Sequence, residues 1–565
     1  MAKRADVAVL FVHGIGDQGQ GDTLESFSGP LLGTLRQLVD GTGVLVADAR
    51  LDPGGRIGVA LRQGDVSAMW LLSEAWWAKS FSAPSYGQLA RWLALAGPQT
   101  LYRHALRYKI VPRPARNVPV ASALYNSLLG VLYLWLPVFL WRRVFYPALM
   151  VAVALVVQVL FLLLIPLASV PLLRRVIQRV QYLLVATVGD SLAFVDVPES
   201  FERMVDQVRE ELRTLDAVAS NIVVVAHSQG AAVAHAALRR EPLPSERVLS
   251  FVTLGAGLDK LTVLRAVGDD GVSAVVRHVG PLWAAPPVLG MILLGAWTPG
   301  GVQAALATIA AYGFFLASAF LPLRYYRRLQ RSIDEQLPLP GQGERLEWLD
   351  VYASADPVPH GPLLPVEERP WTLQPERANV ASFEVRNHRS PLTDHTTYQR
   401  NTEQVMLPLL DLVCSLTPLW LTRTVADYPR LLERGWARRT RRTGWRARTR
   451  LSALLALWGT VTPPTNAVAP LPLLLGALVC LHLAAGAAWR RWDRAESAAW
   501  LDHGTGQVRR ARALFFVVAG CPLALLAGLQ LLVTGDRALA GFFGVLLAVV
   551  WGWGAPGALW RTVRG

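Results

Sequence analysis

The sequence predicts an α/β fold: a mostly parallel sheet with helices on both faces, joined to α-helical transmembrane segments. Three observations predict it. Short apolar, strand-like runs alternate with amphipathic helical ones. One such run, Asn221–Ala226, leads straight into His227-Ser228-Gln229-Gly230 and an alanine-rich helix. Long stretches almost without charge interrupt the alternation, each long enough for a pair of spanning helices at about 20 residues per span.

Composition agrees. Hydrophobic residues make up 52% and charged residues 17%, against about 25% charged in an average soluble domain. Mean hydropathy is +0.32. The formal charge of +15 comes from 56 basic and 41 acidic residues. No nucleic-acid motif accompanies it, so no nucleic-acid partner is expected, and membrane topology accounts for the excess. Cys414, Cys480 and Cys521 show neither metal-ligand spacing nor a disulfide framework.

In chain order, Ala5–Val12 reads as a buried strand. Its apolar run is too short for a signal peptide, and His13-Gly14 follows where a cleavage site would stand. A helix over Thr23–Val39 and a strand over Val44–Arg50 come next. Trp70, Trp76, Trp77 and Trp92 then form a tryptophan-rich stretch, read either as a headgroup-level belt or as a core aromatic cluster. A helix over Glu199–Leu215, the strand Asn221–Ala226, a helix over Ala231–Arg240 and strands Val248–Leu254 and Leu346–Tyr352 complete the alternating part.

The apolar segments fall at 118–173, 279–323, 451–489 and 512–560. Read as helix pairs they give about eight spans, with six or seven as alternatives. Pairs leave and return on one face. That face then holds 1–117, 174–278 and 324–415 as three parts of one core, with a basic linker at 416–450 and a C-terminal transmembrane region at 451–565. The dense run from Arg434 to Arg450 favours the cytoplasmic side of a plasma membrane, as a flank or an anionic-lipid contact. Arg142-Arg143 would lie opposite, which makes a re-entrant or interfacial hairpin the alternative for the first pair.

The chemistry centres on Ser228. A serine hydroxyl is a weak nucleophile and needs a base beside it. A tight strand-to-helix turn lifts it above the sheet and aims the next backbone N–H, that of Gln229, at a developing oxyanion. Such a turn admits only small residues two before and two after, here Ala226 and Gly230.

At these residues the chain resembles the α/β-hydrolase superfamily, in its lipase and esterase branch, over about 1–60 and 180–410 less the membrane pair. Ala226 stands where that pattern has its first glycine. By the resemblance, His13-Gly14-Ile15-Gly16 is the oxyanion loop, with the Ile15 N–H joining that of Gln229. The family order of serine, acid, histidine implies Asp356, just past a strand, as the acid, with Asp350 as rival. It implies His395 as the base, followed by Tyr398 and Asn401, with His388 as alternative. His13 and His227 would point elsewhere. His360 follows the acid loop too closely, and His482 lies in a membrane run.

The expectation is therefore a metal- and cofactor-free serine hydrolase acting on acyl esters of lipid or fatty-acyl type in contact with membrane lipids. A protein or carrier thioesterase and a catalytically idle membrane scaffold or effector are the alternatives. The second membrane pair falls between nucleophile and acid, where lipase-like relatives carry a lid.

Overall fold

A computed structural model describes residues 4–92, 174–269, 337–339, 346–418, 428–461, 471–498 and 506–529, with short breaks at 17, 41–43, 53, 81–83, 90–91, 241–245, 354, 360–361, 364–365, 368–380 and 389–392. The elements run β1 (Ala5–Val12), α1 (Asp22–Val39), β2 (Leu45–Leu51), β3 (Ile57–Gln63), β4 (Val66–Ala75), α2 (Arg174–Asp196), α3 (Pro198–Val218), β5 (Ala219–His227), α4 (Gln229–Arg239), β6 (Val248–Leu254), α5 (Leu258–Asp269), β7 (Glu347–Ala353), β8 (Val366–Glu367), β9 (Ala381–Val385), α6 (Leu407–Ser415), α7 (Tyr428–Val461), α8 (Leu471–Ala498) and α9 (Gly506–Leu529).

The strands form one mixed, mostly parallel sheet in the order β2-β3-β4-β1-β5-β6-β7-β9-β8. Only the β2–β3 and β3–β4 pairings are antiparallel. β1 lies between β4 and β5, parallel to both.

Strand side chains alternate between faces, and the central strands are apolar on both. Val7, Val9 and Phe11 of β1 pack with α1, α6 and Leu432 of α7. Ala8, Leu10 and Val12 pack with α2, α3, α4 and α5. Near-continuous apolar runs are what a sheet covered on both faces requires. Helix α3 shows how the cover is made. Pro198 starts it, where its missing N–H costs nothing. Phe201, Met204, Val205, Val208, Leu212 and Leu215 then recur on one buried stripe. The buried Arg209 reaches from α3 to the Ala237 and Arg240 carbonyls at the end of α4, satisfying acceptors a helix terminus leaves open.

Trp70 and Trp77 are fully buried and Trp92 nearly so. These three are core aromatics rather than a headgroup belt. The stretch from Ile57 to Ala75 is a hairpin turning at Gly64, whose φ is 56°.

The apolar segments 118–173 and 279–323 lie outside the described residues, as does 530–560 of the last. Among the described residues no helix is long and apolar enough to cross a membrane. Helix α7 runs unbroken through the basic run from Arg434 to Arg450, and Arg439 and Arg442 are buried.

Candidate active site

The strand β5 ends at His227 and α4 begins at Gln229, so Ser228 alone makes the turn. It is the one non-glycine residue among those described with positive φ, at 58° and ψ −124°. Such a conformation costs about 1–3 kcal/mol and persists only where its surroundings over-determine it. They do so here. The Ser228 N–H donates to Leu254 O at 3.0 Å, and its carbonyl accepts from Gly257 N at 3.0 Å and Ala231 N at 3.2 Å. The loop after β1 then packs onto the turn backbone to backbone. A Cβ on Gly230 would stand 2.2 Å from His13 O, and one on Gly14 would stand 2.6 Å from Ser228 Cβ.

The Ser228 hydroxyl is 2.7 Å from His395 Nε2. His395 Nδ1 is 2.9 Å from Asp356 Oδ2. A proton on Nδ1, donated to the carboxylate, leaves Nε2 as the acceptor for the serine proton. The Asp356 side chain is fully buried. It is supplied with donors: the Tyr398 hydroxyl at 2.7 Å on Oδ2 and the Val358 N–H at 2.8 Å on Oδ1. The Tyr398 hydroxyl in turn accepts from Ala353 N at 2.7 Å. Burial, and then the neighbouring Asp356, hold the Tyr398 phenol well above its ordinary pKa, so it remains a donor. Lys260 caps the acid turn at Pro357 O. Burial pushes Lys260 down to about 8 against the pull of Asp356 and Asp259.

The rival candidates lie elsewhere. His388 packs edge-on against Trp489 with ring centroids 5.2 Å apart, and its Nε2 is 3.6 Å from Asp493 Oδ2. Asp350 is buried in the sheet, accepting from Thr253 Oγ1, Ser382 Oγ and Leu363 N.

The two motif histidines are structural supports. His227 Nε2 donates to His395 O at 2.7 Å, and its ring stacks on His395 with centroids 4.7 Å apart. Burial, then the proximity of His395, lowers its pKa to about 3. His13 Nδ1 donates to Gly14 O at 2.8 Å, and its Nε2 accepts from Ala78 N at 3.2 Å. It lies flat against Trp77 with centroids 4.3 Å apart, and burial lowers its pKa to about 4. Both are neutral at pH 7 and fix backbone.

Ile15 lies in the loop after β1, and Gln229 is the first residue of α4. Asp190 of α2 ties the two segments together. Its Oδ2 accepts from Gly16 N at 2.9 Å, while its carbonyl accepts from the Gln229 side-chain amide at 3.0 Å. Ser191 Oγ donates to the other end of that amide at 2.9 Å. The Gly16 N–H is thereby engaged.

Sequence reasoning missed a second layer behind His395. Asn387 Nδ2 donates to Asp394 O, and Asp394 Oδ1 accepts from His388 N, both at 2.7 Å. Asn401 Nδ2 donates to Asn387 Oδ1 at 2.9 Å. From α7, Arg439 donates to the Arg386 and Asn387 carbonyls, each at 2.9 Å. Arg439 and Arg442 sit with Asp493 of α8 and Glu403 in one buried cluster, with contacts from 2.9 to 3.7 Å. Although burial opposes the charge, Arg439 and Arg442 keep the Asp493 carboxyl well below its ordinary range. The one signal in the sequence was the arginine spacing: residues 439 and 442 share a helix face.

No family model, curated protein or solved structure matches the chain.

Proposed function

We propose that the chain is a serine hydrolase of α/β-hydrolase type that cleaves acyl esters of membrane lipids. The observation that carries this reading is the hydrogen-bonded line from Ser228 through His395 to Asp356. The order of the parts supports the family: a mostly parallel sheet, the serine between β5 and α4, then acid and histidine in chain order.

In the proposed reaction His395 Nε2 takes the Ser228 proton as Oγ bonds to the acyl carbon. The Ile15 and Gln229 N–H groups, with the N-terminus of α4 behind Gln229, receive the oxyanion. His395 returns the proton to the leaving alcohol as the ester bond breaks. It then deprotonates a water that attacks the acyl-enzyme, and Ser228 leaves with that proton as the carboxylic acid departs. Asp356 stays ionised and stabilises the imidazolium.

The membrane part rests on the long segments 118–173 and 279–323, where Arg142-Arg143 are the only charged residues. It rests also on the apolar residues Val479, Leu483, Leu514 and Val517, exposed on α8 and α9. In sequence the second segment falls between Ser228 and Asp356, and substrate is proposed to enter from the bilayer side. Turnover of long-chain acyl esters presented in vesicles should exceed that of short soluble esters by about tenfold or more, and should vanish in Ser228→Ala. Equal rates for both esters, unaffected by vesicles, would refute the lipid assignment.

A further inference from the structure

Past the buried ion cluster, α7 carries a second pair of side chains on the same face, Arg446 and Thr449. They meet α8 and α9 at a cavity of about 120 Å³ whose other walls include His482, Trp489, Arg490 and Phe515. The lining chemistry is one-sided. It offers two guanidinium groups and an imidazole, and among the described residues no carboxylate lines the cavity. Asp493 and Glu403, in the neighbouring cluster, pair with Arg439 and Arg442. Arg446 lies 4.2 Å over the Trp489 ring, a stacking that holds a guanidinium plane in place. The volume is several times the roughly 10–15 Å³ that admits one water, which leaves room for a phosphate group. Leu483 also lines the cavity and is 64% exposed, continuous with exposed Val479 on the same helix.

From this juxtaposition we infer that the cleft between α7, α8 and α9 binds the phosphate of an anionic amphiphile. Arg446 and Arg490 would grip the phosphate oxygens from two helices, and the acyl chain would leave along Leu483 and Val479. Guanidinium forks suit phosphate, and a basic pocket between helices is how anionic headgroups are held. The site is separate from Ser228 and does not depend on the hydrolase reading. It shares Trp489 with the layer behind His395, since His388 packs on that ring.

The test is equilibrium binding of a fluorescent phosphatidylglycerol to the full-length chain in a neutral detergent, using Ser228→Ala so that no turnover intervenes. Saturable binding is expected, with fluorescent phosphatidylcholine at least about tenfold weaker. Arg446→Met and Arg490→Met should each weaken phosphatidylglycerol by about tenfold. Arg490 is on the exposed side of α8, so its variant keeps the fold. Displacement by millimolar inorganic phosphate would assign the site to the phosphate group itself. Its failure to displace would assign the site to phosphate and chain together, and both results uphold an anion site. Unchanged affinity in Arg490→Met and Arg446→Met, equal affinity for phosphatidylcholine, or displacement by a fatty carboxylate alone would overturn it.

Discussion

At the scale of single residues, the candidate site depends on groups whose charge state burial decides. Tyr398 both donates to Asp356 and accepts from Ala353. Tyr398→Phe removes both bonds, leaving one buried N–H without its partner, and should lower stability by about 1–3 kcal/mol. It should lower kcat by about tenfold with KM little changed, because the acid then holds His395 less firmly. Three histidines, His13 and His235 buried and His227 partly so, give the fold a pH signature. His13, His227 and His235 have pKa values lowered from 6.5 to about 4, about 3 and about 4, burial being the largest cause in each. The unfolded chain takes up these protons first. Their contribution is therefore present above about pH 6.5 and is lost as pH falls toward 4, at about 1.4 kcal/mol per pH unit for each group. Thermal unfolding followed from pH 7 to pH 4.5 should show Tm falling steeply. The fall should be shallower in His235→Gln, because His235 donates only to Leu337 O and lies away from Ser228.

At the scale of elements, the parts legible in the sequence were those whose residues are decided locally. β1 and β6 have the bounds that their apolar runs give, Ala5–Val12 and Val248–Leu254. The Ser228 turn was legible because a strand, a serine and small neighbours in one short stretch admit few other structures. The β3–β4 hairpin was not read, although Gly64-Asp65 between alternating runs is a turn signal. β9 is short and flanked by polar residues, so its place beside β7 is a tertiary fact. The layer behind His395 was illegible for the same reason, since Arg439 lies 44 residues after His395 and only packing joins them. This layer makes a prediction. Arg439→Met keeps the aliphatic stem but removes one of the two arginines that pair Asp493, and the guanidinium donors to the Arg386 and Asn387 carbonyls. It should cost about 3–5 kcal/mol and slow acylation more than it weakens substrate binding. A pre-steady-state burst with a chromogenic ester measures the two separately. Arg439→Lys, which restores charge but not the fork, should recover stability in part and acylation rate less.

At the scale of the whole molecule, one sheet is covered by helices on both faces, and α7 joins one of those faces through Leu432 and continues into the packed trio α7, α8 and α9. The C-terminal helices are thus a structural partner of the histidine loop, where the sequence suggested a linker and an anchor. The two apolar segments at 118–173 and 279–323 fall between core elements in the chain, so the sheet and its helices are built from separated parts of the sequence. The central claim is an activated serine at the end of β5. It is tested most directly by reacting the detergent-solubilised full chain with a fluorophosphonate probe and mapping the labelled peptide. Wild type should label at Ser228, Ser228→Ala should not label, and His395→Ala should label at least about 100-fold more slowly. Wild-type protein that is folded, in detergent and again in bilayers, yet leaves Ser228 unlabelled would contradict it.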